Sequence, residues 1–169
     1  MTETLRPLLA EDGAALQALI EADPDYVLRV SGRPPGRDEA QDLLADRPPH
    51  VSEDRKVVLG AFRDDALVAV IDVVRGWPDP ETAYVGLLQV RAGSKGQGVG
   101  RHAHALLLDW LARWPEVTRL RAAIVETNAA EAEPFWAALG YTPSGPPRPY
   151  RQGAVSTTVT IWTRPLRDG

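Results

Sequence analysis

The spacing of apolar positions divides the chain into short strands and helices. Leu5 to Leu8 is a brief apolar stretch cut by Pro7, which suits an edge strand because proline brings no N–H to a ladder. From Ala10 to Ala22, Ala14, Leu16, Leu19 and Ile20 share one helical face. Glu11 and Asp12 fall in the first turn, where the helix dipole favours negative charge. Pro24 breaks that helix. The proline-rich residues 24–50 predict two short helices, Pro24–Val30 and Arg37–Asp46, around Ser-Gly-Arg-Pro-Pro-Gly. Lys56–Arg63 and Ala66–Val74 are β-branched runs joined by Asp64-Asp65, a hairpin pattern, and Glu81–Val90 is the next strand.

A longer helix follows, with Val99, Ala103, Leu106, Leu107, Trp110 and Leu111 at three- and four-residue spacing, and Pro115 ends it. Arg119–Val125 is another apolar strand. Phe135–Leu139 predicts a short helix, with Pro134 in its first turn and Gly140 at its C-terminal cap. Ala154–Thr163 alternates as a last strand, after a Pro/Gly-rich stretch over Thr142–Gln152. No repeat or linker interrupts this order, so residues 1–169 are expected to form one domain.

Composition narrows the function classes. Nineteen Lys+Arg against 23 Asp+Glu give a formal charge of −4, which argues against a nonspecific nucleic-acid binder, since a phosphate backbone is met by a basic field. With no cysteine there is no disulfide framework, thiolate nucleophile or Cys-based zinc site. No apolar run approaches the roughly 18 residues that span a bilayer, and the N-terminus lacks the pattern of a signal peptide. A cytoplasmic protein with no membrane partner is the expectation.

The chemistry concentrates between Tyr84 and Trp110, where an apolar strand passes through Gly93, Gly96, Gly98 and Gly100 into the long helix. Glycines let a backbone approach a ligand closely, and the first helical turn points unpaired N–H groups at an anion, here helped by Lys95 and Arg101. Two nucleotide motifs fail. The phosphate loop of nucleotide hydrolases needs Gly-Lys-Ser/Thr, which Gly98-Val99-Gly100 does not supply, and the dinucleotide fingerprint needs a different glycine spacing. The segment Lys95-Gly96-Gln97-Gly98-Val99-Gly100, after a strand ending Leu88-Gln89-Val90, instead resembles the pyrophosphate loop of the GNAT superfamily of acyl-CoA-dependent N-acyltransferases. Lys95 stands where Arg or Gln is usual, and Ala92 where Pro is frequent. Glu126-Thr127-Asn128 followed by Phe135-Trp136-Ala137-Ala138-Leu139-Gly140-Tyr141 resembles that family's second signature.

The resemblance implies an α/β fold: a mixed, mostly antiparallel central sheet with helices on both faces. It implies transfer of an acetyl group from acetyl-CoA to a primary amine of a small molecule, directly within a ternary complex. Leu88, Gln89 and Val90 would then hold the pantetheine and polarise the thioester carbonyl. Lys95, Gly96, Gln97, Gly98, Val99, Gly100 and Arg101 would cradle the pyrophosphate, and Asn128 and Trp136 would line the cofactor arm. A bulky residue at Gly98 or Gly100 is expected to block the phosphates and leave the fold intact. Trp136 stands where the family has a tyrosine acid, and an indole N–H cannot serve as one.

Tyr84 occupies the strand position where several members carry a glutamate base, which leaves Glu81, Asp72 and Glu126 as the nearby carboxylates for a water relay. Tyr84, Glu81 and Glu126 are the candidate catalytic set. His102 and His104, two residues apart on a helix, face different sides and make no metal pair; no metal is expected. Homodimerisation is common in the family. Two alternatives stay open: acetylation of a protein N-terminus or lysine, and a non-catalytic acyl-CoA-binding regulator.

Overall fold

The computed structural model describes residues 2–167. Its strands are β1 (Glu3–Pro7), β2 (Lys56–Arg63), β3 (Ala66–Arg75), β4 (Thr82–Val90), β5 (Arg119–Val125), β6 (Thr142–Pro143), β7 (Arg148–Gln152) and β8 (Val155–Pro165). Its helices are α1 (Gly13–Glu21), α2 (Asp25–Ser31), α3 (Glu39–Ala45), α4 (Val99–Trp110) and α5 (Ala129–Ala138). The strands form one sheet in the order β1-β2-β3-β4-β5-β8-β6, with β7 also on β8. Only β4 and β5 pair in parallel; every other described pair is antiparallel.

The alternation along β3 explains how helices come to cover both faces. Ile71 and Val73 point into a core with Leu107 of α4 and Trp136 of α5. Val70 points the other way, onto Leu16, Leu19 and Ile20 of α1 and Ala40 of α3. A strand buried on both sides reads as an unbroken apolar run, and Asp72 is the one interruption between Leu67 and Val74.

Two features of β4 shape what lies above it. The register against β3 slips, with Asp72 opposite Leu87 but Val73 opposite Val85, so Gly86 is an extra, bulged residue. The parallel ladder to β5 covers only Thr82–Val85. Beyond it β4 continues along β3 to Val90 and β5 continues along β8 to Val125, so the two central strands part.

The observed elements follow the hydrophobic pattern with two corrections. Helix α5 begins at Ala129 rather than at Pro134, which lies inside it. Proline removes one helical donor there, yet Ala129, Ala132 and Phe135 pack against the core and hold the extra turns in place. The Pro/Gly-rich residues 142–152 contribute β6 and β7. Pro149 is tolerated on β7 because that strand pairs only with β8 and so lies at an edge.

Candidate functional site

Where β4 and β5 part, they open a cleft of about 430 Å³ bounded by α2, the glycine loop, α4 and α5. Its β4 wall is a strand edge with free backbone groups. Arg91 N–H donates to the Val68 carbonyl at 2.8 Å, so by strand alternation the groups of Gln89 and Leu87 also face β3. Those of Leu88 and Val90 face the gap, where β5 has turned away. Extended ligands pair with such an edge as an added strand does.

The mouth of the cleft is built from backbone. Gly96 and Gly98 have φ of +77° and +80°, the left-handed region that glycine enters without strain, and a Cβ at either meets no atom within 4 Å. Gly98 caps α4, and His102 is the first residue to donate back, to the Gly98 carbonyl at 3.0 Å. The N–H groups of Val99, Gly100 and Arg101 are therefore free of helical partners, in a first turn with no acidic residue. Lys95, paired with Asp23, and Arg101 line the same mouth. A pyrophosphate fits this donor set: bare N–H groups, two nearby cations and open space above two glycines.

Gly100 differs from its neighbours. A Cβ there would stand 3.0 Å from the Phe135 ring and 3.2 Å from a Val90 methyl, so this glycine is required by helix–sheet packing. A bulky residue at Gly100 disturbs the core, against the expectation of an unaffected fold. Gln97 is exposed, reaches only the Gly93 carbonyl and Arg63, and lies outside the cleft lining. Gln89 lines the cleft and is buried, its amide nitrogen without a partner among the described residues. Asn128 lines it too, its side-chain oxygen accepting from Arg29 Nε at 2.7 Å. Trp136 stands between cleft and core, its ring 4.8 Å from Tyr141 and 5.3 Å from Phe135.

A profile of the Acetyltransferase (GNAT) family matches residues 16–141. The chain belongs to the GNAT acetyltransferase family. An acetyltransferase from Thermus thermophilus is 27% identical, with a TM-score of 0.72 over 98% of this chain and 97% of that one. The acetyl transferase from Salmonella typhimurium that modifies the N-terminal serine of 50S ribosomal protein L7/L12 shares the fold (TM-score 0.77, 17% identity, 98% and 95% coverage). So does the ribosomal-protein-S18-alanine N-acetyltransferase from Escherichia coli (TM-score 0.69, 18% identity, 99% and 96% coverage). No curated protein matches the chain. GNAT acetyltransferases take their acetyl group from acetyl-CoA, and this chain is an acetyltransferase of that kind.

The carboxylates of this GNAT chain are distributed unevenly around the cleft. Glu81 is exposed just before β4, 3.8 Å from Arg119 and away from the parted ends of the strands. Glu126 is exposed beyond β5, where Thr157 donates to it at 3.3 Å. Neither lines the cleft. Asp72 is the most enclosed of the three, its side chain 15% exposed. It lies on the α1–α3 face of β3, in an ion pair with Lys56, whose Nζ is 3.0 Å from its Oδ1. Burial raises its carboxyl to about 6, with Lys56 as the opposing influence. A Cβ on Gly86, which lines the cleft, would sit 3.0 Å from Asp72 Oδ2 and 3.4 Å from the Tyr84 ring. Asp72 and Tyr84 are themselves outside the cleft lining, and the bare Gly86 is what separates them from it.

Tyr84 is half-buried on the same face, and burial and the Asp72 charge push its hydroxyl up, so it stays a neutral donor. Tyr26 of α2 lines the cleft and is shifted upward by burial in the same way. Tyr141 is sequestered: its hydroxyl bonds His104 Nε2 at 2.8 Å inside the core. Among the described residues no group of acidic, His or Cys side chains is arranged to hold a metal ion.

Sequence reasoning missed Tyr26, Arg29 and Gly86. One signal was present for Gly86, because Gly86-Leu87-Leu88 breaks the strict alternation of a half-buried strand.

Proposed function

We propose that the chain transfers an acetyl group from acetyl-CoA to the primary amine of a small molecule, directly, with both substrates bound. The observation that carries this reading is the parting of β4 and β5 beside a glycine-lined helix start. In it, Leu88 and Val90 offer their N–H groups to the extended arm and to the thioester carbonyl, where a fixed donor stabilises developing negative charge. Gly96, Gly98, Val99, Gly100, Arg101 and Lys95 hold the pyrophosphate. Gln89, Asn128 and Trp136 shape the walls around the arm. The acetyl thioester supplies the group that is moved; the chain supplies position and proton handling.

The acceptor amine must lose a proton before it attacks. Asp72 takes that proton in our reading, through Gly86's open position or one water, in place of Glu81 and Glu126. A carboxyl poised near 6 is a far better base than an ordinary one. Tyr84 orients the amine with its neutral hydroxyl. The indole of Trp136 is no acid, and the leaving thiol needs little help, since a free thiol has a pKa of about 8.5.

The acceptor side is roofed, which supports a small molecule over a protein segment. Tyr150 donates to the Val30 carbonyl at 2.9 Å, the Ala154 N–H to the Ser31 carbonyl at 3.1 Å, and Thr127 to the Arg29 carbonyl at 2.5 Å. These bonds tie the end of α2 across to the β7–β8 hairpin and the segment after β5. The approach is close enough to need Gly32 and Gly153, whose added Cβ atoms would collide with Ala154 and Ser31.

Acetyl-CoA-dependent thiol release with a panel of small amines and short peptides tests the reading. Turnover of small amines, lost in Asp72→Asn, is expected; turnover of peptides alone would contradict it.

A further inference from the structure

On the far side of Tyr84 the sheet carries a second groove, of about 380 Å³, among β5, β8, the loop before β4 and the chain around Ser144 to Arg148. Val74, Tyr84, Arg121 and Thr163 stand opposite one another in a single row across β3, β4, β5 and β8. Side chains in one such row share a face, so Arg121 and Thr163 lie on the same side of the sheet as Tyr84 and Asp72. Trp77 joins the two regions, its ring 4.9 Å from the Tyr84 ring and 5.3 Å from the Arg121 guanidinium.

Three guanidiniums, Arg119, Arg121 and Arg148, meet one carboxylate, Asp79, in this groove. Arg119 is already engaged, by Thr82 Oγ1 at 2.9 Å and Asp79 at 3.1 Å. Arg121 is not. Its Nε is buried with no hydrogen-bond partner among the described residues, and burial together with the neighbouring Arg148 lowers its pKa. Arg148 likewise makes no ion pair among the described residues. Two cations close together, one with an orphaned buried donor, are costly unless an anion joins them. The hydroxyls of Ser144 and Thr163 line the groove and add neutral donors suited to an oxyanion.

We propose that this groove binds an anionic group of the acceptor, a carboxylate or phosphate held by Arg121 and Arg148 while the amine reacts beside Tyr84 and Asp72. The assignment rests on the reading of the cleft as an acetyl-transfer site. Asp72 and Arg121 lie two strands and two residues apart, so their backbones are separated by about 12 Å. The acceptor is accordingly an amine with its anion several bonds away, such as an ω-aminocarboxylate or an aminoalkyl phosphate.

Thiol release measured on the full chain at saturating acetyl-CoA tests this with ω-aminocarboxylates, from β-alanine to 6-aminohexanoate, against alkylamines of equal length. A charged hydrogen-bonded contact predicts roughly a ten- to hundredfold preference in kcat/KM for the carboxylates at the best length, carried by KM. Arg148→Ala, at an exposed position, removes most of that preference and leaves alkylamine turnover as it was, and Arg148→Lys restores part of it. Equal use of both series, or an equal loss on both in Arg148→Ala, overturns the proposal.

Titration with inorganic phosphate needs no turnover. The wild type is expected to gain thermal stability with phosphate, and Arg121→Gln and Arg148→Ala to lose that gain; no gain in the wild type also overturns it. Calorimetry with acetyl-CoA separates the two levels. Binding and turnover without anion preference defeat this inference alone, whereas no acetyl-CoA binding defeats the reading beneath it.

Discussion

The donor half and the acceptor half that we propose for this site are built by different means. The donor half is backbone: the edge of β4 at Leu88 and Val90, two left-handed glycines, and the first turn of α4. All of it comes from one stretch, residues 86–101, and its geometry follows from the strand–loop–helix connection. The proposed acceptor half is side chains: Tyr26 on α2 in the cleft lining, and Asp72 on β3, Tyr84 on β4 and Arg121 on β5 beside it. Only the sheet order brings these together. A donor shared by a whole family can be met with N–H groups that every sequence has, whereas an acceptor particular to one protein must be met with residues that differ.

Substitutions can separate the halves. Asp72→Asn should be the most damaging. Loss of a positioned base costs typically about 10²–10⁴-fold, so kcat should fall by about that much while acetyl-CoA affinity is unchanged by calorimetry. A parallel loss of affinity would merge the two halves.

Gly98→Asp tests the other side. Aspartate tolerates the left-handed backbone at Gly98 and its Cβ meets open space, so the protein should fold. Its charge faces the phosphates, and acetyl-CoA affinity should drop on the order of 100-fold, about 2.7 kcal/mol.

Gly100→Val blurs the boundary, because that glycine serves both the loop and the core. Overpacking against Phe135 and Val90 should cost about 1–3 kcal/mol of stability in denaturant titration. An unaltered unfolding midpoint would refute the packing role.

Lys56→Met should have the smallest effect. In the proposed mechanism Asp72 acts as a base only when ionised, so activity should rise with pH through about 6. Lys56 holds the Asp72 carboxyl down against burial, and its removal should move that limb of the kcat/KM profile to higher pH. A limb that stays in place would show that another group titrates.

What could be read from the sequence follows the same division. Glycine spacing, helical periodicity and the β-branched runs are local, and they located β2 to β5, the start of α4 and the glycine loop between them within a residue or two. The base we propose could not be singled out that way, and Asp72 stood in the sequence only as one of three nearby carboxylates. Glu81 and Glu126 are close to the key segments in sequence, but the chain carries them out to solvent and to Arg119. Asp72 is close only through the β3–β4 register. A sharper signal did exist, since one carboxylate inside the otherwise apolar Leu67–Val74 run is expensive to bury and needs a reason. The α5 boundary failed because Pro134 is a strong local signal that tertiary packing overrides.

On this reading the parted strands and the glycine-capped helix hold acetyl-CoA. Calorimetric titration of the wild type with acetyl-CoA, with ATP and NAD as controls, tests it most directly, and Gly98→Asp and Asp72→Asn belong beside it. Saturable one-to-one binding selective for acetyl-CoA is expected, weakened in Gly98→Asp and unchanged in Asp72→Asn. No binding, or equal binding of all three nucleotides, would contradict it.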